Sequence, residues 1–307
     1  MNIDEMHASN ARAWDEAAAH YETEIQADIE FLRAGGKNFC SAELAYLGEL
    51  ARWCGRAIHL QCAGGCDTLS LWNLGAQSVV GVDINSRMLA CAAAKAQALV
   101  APAQWCCSDI LHTPHELDAT ADLVYTGPCA LCWRMDLKAW AQVIARLLKP
   151  GGKLYVFDGH PLDWLWHGTS THYCLEADAV SYFQRKPVSS VGWLFSYTPA
   201  EGQAKQPATK WERQWTLGDI VNAQLAADLR LLRLEEHPDR YGVIFPNMPP
   251  ELQDRLPHTF SLWMEKPAGR GLHLNRNDRY FGSGCPKIKL CIEQAPKSPP
   301  HLGIGWF

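Results

Sequence analysis

Residues 57–83 read AIHLQCAGGCDTLSLWNLGAQSVVGVD, and few folds accept that order of pieces. Ala57–Gln61 is a short apolar run of strand character, and Cys62–Cys66 is a tight turn carrying Gly64 and Gly65. Asp67–Leu74 places Leu69, Leu71 and Leu74 at helical spacing and stops at Gly75; Ser78–Val82 is a β-branched strand that ends on Asp83. Strand, glycine turn, helix, strand and acid is the opening unit of a nucleotide-binding α/β fold. The glycines let the backbone approach a ligand closely, and the acid can accept from both hydroxyls of a ribose. An ordinary strand–helix–strand unit ending on an exposed acid gives the same pattern. The dinucleotide form G-x-G-x-x-G is absent, so the rest of the chain has to decide.

The alternation continues beyond Asp83. Asn85 or Ser86 can cap a helix running to about Val100, which Pro102 breaks. Ala103–Cys107 reads as a third strand, ending at Ser108-Asp109-Ile110, and Ala121–Tyr125 as a fourth, followed by Thr126-Gly127-Pro128. Asp136–Lys149 is a helix with Leu137, Trp140, Ala141, Ile144, Leu147 and Leu148 in one stripe. Pro150-Gly151-Gly152 ends it, and Lys153–Asp158 is a fifth strand. Strands alternating with helices imply a parallel sheet covered on both faces. Ahead of this unit, residues 4–34 and Ser41–Trp53 read as helices, the first with Trp14, Ala17, Ala18, Tyr21 and Ile25 on one side as core, docking or lid residues. Residues 161–214 break the rhythm and read as an insertion over one end of the sheet. A helix at Thr216–Ala227 and alternating strands at Leu229–Glu236 and Thr259–Lys266 restore it. The organisation expected is an N-terminal helical lid (1–56), an α/β domain (57–267) and a tail (268–307) that is disordered or packed locally.

Charge narrows the partner. The net charge is −5, the tail contributes +4, and the remainder therefore carries −9, which does not suit a polyanion. A small molecule is the better substrate class. No apolar run is long enough for a membrane span. The start, MNIDEMHASNARAWDEAAAH, is neither a secretory signal nor a transit peptide, so the cytoplasm is the default compartment. The twelve cysteines are then expected as free thiols. Cys129-x-x-Cys132 has zinc-ligand spacing but lacks the second pair a structural zinc site wants, so no metal is assigned. Oligomeric state is not legible.

The segments IHLQCAGGCDTLSL, GVDIN, CSDI, ADLVYTGPCALCW and ARLLKPGGKLYVFDGHP together resemble a class I S-adenosylmethionine-dependent methyltransferase, of a small-molecule subgroup. The last segment is the most specific, since a helix closing on Pro-Gly-Gly before an aromatic-rich strand is uncommon in dinucleotide dehydrogenases. The resemblance spans roughly residues 10–267. It implies a doubly wound, seven-stranded, mostly parallel Rossmann-like α/β sheet with N-terminal helices, an insertion after strand 5 and antiparallel sixth and seventh strands. It implies S-adenosylmethionine as cofactor. The turn of Gln61, Cys62, Ala63, Gly64 and Gly65 would lie against its methionine part. Asp83, followed by Ile84, would hold the ribose; Asp109 would accept from the adenine amino group, with Ile110 flanking the ring. Tyr125 and Thr126 would sit near the reacting methyl. The family's turn is an acid followed by G-x-G-x-G; here His59 stands at the acid, Gln61 and Ala63 at the first two glycines, and Gly65 at the third.

His160, after the fifth strand, could act as general base or only hydrogen-bond its loop; with Tyr125 it is the candidate catalytic pair. Trp133, Trp164, Trp166 and Trp193 could line an apolar pocket or form the insertion's own core. The expected reaction is methyl transfer to O, N or C of a small molecule. A nicotinamide-dependent oxidoreductase and a non-catalytic cofactor-binding module are the alternatives.

Overall fold

Alternating apolar strands that are buried on both faces need a helical layer on each side, and the computed structural model supplies both. It describes residues 1–48, 50–166, 170–175, 180–193, 207–240 and 245–269. Within them lie α1 (Ile3–Arg33), α2 (Ser41–Leu47), β1 (Arg56–Leu60), α3 (Cys66–Asn73), β2 (Ser78–Asp83), α4 (Ser86–Leu99), β3 (Ala103–Cys107), β4 (Ala121–Thr126), α5 (Leu137–Leu147) and β5 (Leu148–Gly159). There follow β6 (Val188–Val191), β7 (Thr209–Glu212), α6 (Leu217–Ala226), β8 (Arg230–His237), α7 (Pro250–Gln253) and β9 (Thr259–Glu265). Seven strands form one sheet in the order β3-β2-β1-β4-β5-β9-β8. Its order reverses between β1 and β4, the switch point outside whose carboxyl ends such sheets bind ligands.

Side-chain alternation divides the core. Ile58, Leu60, Val80, Val82, Val124, Leu154 and Val156 face α5 and α6, where they meet Trp140, Ile144, Leu147 and Ile220. Ala57, Val79, Leu123, Tyr125, Tyr155 and Phe157 face Leu47, Leu50 and Leu71 on the other side. Each such aliphatic or aromatic burial contributes about 1.5–3 kcal/mol. Met1–Gly269 is one compact unit, and no helix of the described residues is long and apolar enough to cross a membrane.

Several local expectations shift. Of the last two strands only β9 runs against the others; β8 is antiparallel to β9 and so points with β5. Pro150-Gly151-Gly152 lies inside β5 as an irregularity in its pairing with β4, Gly151 taking φ 81° and donating its N–H to the Lys266 carbonyl. The second helix ends at Gly48, and its N-cap is Cys40 rather than Ser41, with the Cys40 N–H donating to Glu43. The expected tail, apart from residues 268 and 269, lies outside the described residues.

Among the described residues of the insertion, β6 and β7 pair antiparallel, and β7 docks on α1. Asn10 offers its side-chain amide to β7 as a strand would, accepting from Trp211 N–H at 2.7 Å and donating to its carbonyl at 2.8 Å. Ser9 donates to the Thr209 carbonyl, and Trp193 Nε1 donates to the Ala13 carbonyl. The chain leaving β7 is tied to the loop after β4 by Arg213 N–H to Cys132 O and by Trp215 Nε1 to Arg134 O. Helix α1, the β6–β7 pair and that loop form a roof above the carboxyl ends of the strands.

Candidate cofactor and acceptor site

Two neighbouring cavities open beneath that roof, and both use the turn after β1. The first is lined by His7, Trp14, Gln61, Ala63, Asp83, Ile84, Asp109, Ile110, Trp133 and Arg134. The second lies beyond the turn and takes in Asn38, His59, Gln61, Cys62, Ala63, Gly64, Gly65, Asp67 and Lys95.

Asp83 lines the first cavity. Its carboxylate accepts from Ala63 N–H and Asn85 N–H, each at 2.9 Å. One bond per oxygen leaves lone pairs for two ribose hydroxyls. Burial pushes its pKa up, opposed by those N–H groups and by the Arg134 guanidinium. Ile84 and Ile110 line the same cavity. Asp109 is there too, but its oxygens are engaged: Oδ1 accepts from Leu111 N–H at 2.9 Å and Oδ2 from His7 Nδ1 at 2.6 Å. Burial would raise its pKa, yet His7, Leu111 and Arg134 hold it below the usual carboxylate value.

Four polar atoms of cavity-lining residues are buried without a protein partner: His7 Nε2, Gln61 Oε1, and Arg134 Nε and Nη1. A buried polar atom left unmet costs about 1–3 kcal/mol. These residues therefore fit a polar, hydroxyl- and nitrogen-bearing ligand, as a nucleoside is.

The turn itself keeps its glycine geometry without its glycines. Gln61 and Ala63 sit at φ 63° and 43°, beside Gly65 at 79°. A side chain at Gly65 would strike Ala92, its added Cβ lying 2.5 Å from the Ala92 Cβ, which explains why this third position stays glycine. Gln61 Nε2 donates to Ala130 O at 2.9 Å, tying the turn to the loop after β4. Lys95, fully buried, donates to Gly64 O at 2.8 Å and pairs with Asp28 at 2.5 Å. His59 supplies no charge here: burial drives its pKa down to about 3, and Nδ1 bonds Thr68 Oγ1 at 2.9 Å. Asp67 does carry a carboxyl into the second cavity, pushed up to about 6 by burial while the Asn38 amide holds it down.

Neither candidate catalytic group reaches the first cavity. Tyr125 is fully buried on the sheet face that meets Leu47 and Leu50, its hydroxyl donating to Glu43 at 2.7 Å and its ring meeting His59 edge-on. Thr126 is buried with its hydroxyl unpartnered. His160 caps the turn Pro161–Leu165: Nδ1 accepts from Leu162 N–H and Nε2 donates to Glu236 at 2.8 Å, so both ring nitrogens are engaged. It lines a separate cavity with Trp164 and Trp166. Trp133 and Trp193 instead pack with Trp14, centroids 5.3 and 4.5 Å from it. The described cysteines form no disulfide, and among the described residues no group of three His, Cys, Asp or Glu gathers to hold a metal. Sequence reasoning missed His7, Asn10 and Arg134. His7 and Asn10 carried the only available signal, polar residues on the inner side of an amphipathic helix.

Residues 57–152 match the family model of a methyltransferase domain. An S-adenosylmethionine-dependent methyltransferase from Mesorhizobium loti is 21% identical, with 73% of this chain and 96% of that one covered and a TM-score of 0.52. Another from Clostridium acetobutylicum is 15% identical, covering 83% and 99%, with a TM-score of 0.52. No curated protein matches the chain.

Proposed function

We propose, taking as premise a chain that carries the domain and fold of a class I S-adenosylmethionine-dependent methyltransferase, that its methyl acceptor is a small molecule admitted beneath the roof. The observation that carries this is the roof's construction. Helix α1, the β6–β7 pair and the loop after β4 are joined through Asn10–Trp211, Trp193–Ala13 and Trp215–Arg134, and they cover the cavity edge formed by Trp14 and Trp133. An acceptor must fit between these side chains, which favours a compact molecule over a polymer.

When bound, the cofactor supplies an electrophilic methyl on a sulfonium. The protein's share is placement and shielding. Asp83 takes the ribose hydroxyls, Ile84 and Ile110 flank the base, and the turn from Gln61 to Gly65 borders the methionine part. Holding acceptor and methyl in line supplies much of the acceleration, and the tryptophan roof keeps water out. With both ring nitrogens of His160 and the hydroxyl of Tyr125 engaged elsewhere, neither acts as a base on the acceptor.

The test uses the full chain with isotopically labelled S-adenosylmethionine and a cell extract split by size. Label should appear in the small-molecule fraction. Label confined to protein or nucleic acid overturns the acceptor class. Cofactor binding with no transfer to either fraction supports the non-catalytic module, the reading that the strained turn at Gln61 and Ala63 favours.

A further inference from the structure

The adenosine end of the first cavity holds a pair of groups that the expected roles leave unexplained. His7 comes from α1 and is 3% exposed; Arg134 comes from the loop after β4 and is 7% exposed. Asp109, ionised and 2.6 Å from His7 Nδ1, can only accept, so Nδ1 carries the proton of that bond. In the neutral ring Nε2 is then an acceptor, and it is buried without a protein partner. Arg134 has only donors, and Nε and Nη1 are likewise unpartnered. Among the described residues, one cavity thus presents an unpaired acceptor on His7 and unpaired donors on Arg134.

A 6-aminopurine is the complement. It offers an amino N–H beside a ring nitrogen that accepts. We propose that His7 and Arg134 read the edge of the cofactor's adenine, His7 Nε2 accepting the amino N–H and Arg134 donating to a ring nitrogen. Asp109 then positions the imidazole instead of touching the base. This rests on the cofactor reading above. One consequence is structural: α1 contributes a base contact of its own. It is held over Asp83 by Asn85 Nδ2 to Ala11 O and by Arg87 to Asp15 O, so seating the helix and seating the adenine are one event.

The test is calorimetric titration in mildly alkaline buffer with S-adenosylhomocysteine and S-inosylhomocysteine. The inosine analogue replaces the amino group with a carbonyl, which would face the His7 lone pair. Wild type should prefer the adenosine form by roughly ten- to a hundredfold. His7→Phe, which keeps the ring's shape, should bring the two affinities within about threefold of each other. His7→Gln has an amide N–H for Asp109 and an oxygen for the cavity, and should retain most of the preference. Arg134→Met should weaken S-adenosylhomocysteine at least about fivefold.

The proposal is overturned if wild type shows no preference. It is equally overturned if folded His7→Phe keeps the preference while Asp109→Ala loses it, which would return the base contact to Asp109. If wild type binds neither ligand, the cofactor reading itself fails, a result distinct from either.

Discussion

The two ends of the proposed cofactor site solve the same problem with opposite materials. At the adenosine end the expected acids are present, and what differs is their company. Asp109 is held below its usual pKa by His7 and Leu111 despite burial. At the methionine end the expected acid and two glycines are missing, yet the backbone still turns through the left-handed region at Gln61 and Ala63. Asp67, which lines its cavity, shifts up to about 6, and the buried Glu43 up to about 7, both chiefly through burial; Asp83 is also pushed up, whereas Asp109 is not. One end is stabilised by side-chain pairing. The other carries strain and buried acids, and the surrounding structure has to hold it in place.

The largest effect should come from removing that hold. Lys95 is fully buried and bonds both Asp28 and the carbonyl of Gly64. Breaking a buried pair costs about 3–5 kcal/mol, and Asp28, 24% exposed, recovers part of that by rehydrating. Lys95→Met should therefore lose about 2–3 kcal/mol, read from the urea midpoint. An unchanged midpoint would mean that the turn holds itself.

Asp83→Ala acts where the two ends meet, since this carboxylate holds both Ala63 and Asn85. Hydrogen bonds to a charged group contribute about 1.5–3 kcal/mol. S-adenosylhomocysteine should bind at least about tenfold more weakly. Unchanged affinity would remove Asp83 from the ribose site.

How much of this the sequence disclosed follows the same division. Local patterns located the strands closely: the Val-rich run before Asp83 and the stripe through Trp140 and Ile144 have strong periods, and burial on each face followed. Asp83 was legible as a cavity-lining acid because its place at a strand end puts it there. His7 was not, because its partner lies 102 residues away and no local pattern encodes that contact. His160 misled for a related reason. Its position after the fifth strand is right for a base, but Glu236, 76 residues on, takes its second nitrogen. The direction of β8 also escaped, since alternation marks a strand without giving its sense.

The buried acids give the contrast a pH signature. Glu43 accepts from Tyr125 and from Cys40 N–H, and burial raises its pKa from 4.5 to about 7. A carboxyl whose folded pKa exceeds its unfolded one binds more protons when folded, so stability falls as pH rises between those values. The penalty is absent below about pH 4.5 and complete above about pH 7. It should amount to about 1–2 kcal/mol after relaxation. Glu43→Gln can donate to Tyr125 and accept from Cys40, and it should flatten this part of the stability profile measured by denaturant titration. An unaltered slope would assign the effect to Asp67 or Asp158, whose pKa values burial also raises to about 6.

The smallest effect bears most directly on strain. A non-glycine residue at positive φ costs about 1 kcal/mol, and glycine there relieves it at some cost in chain entropy. Ala63→Gly, at φ 43° and with only a methyl to lose, should stabilise by about 0.5 kcal/mol. Gln61→Gly relieves a similar φ of 63° but forfeits the bond from Nε2 to Ala130 O, so its net change should be near zero or unfavourable. Thermal midpoints of the two variants separate the contributions. Equal gains would mean that the Gln61 amide contributes nothing to stability. A loss at Ala63 would mean that the turn is relaxed as it stands, and the contrast between the two ends would then rest on charge alone.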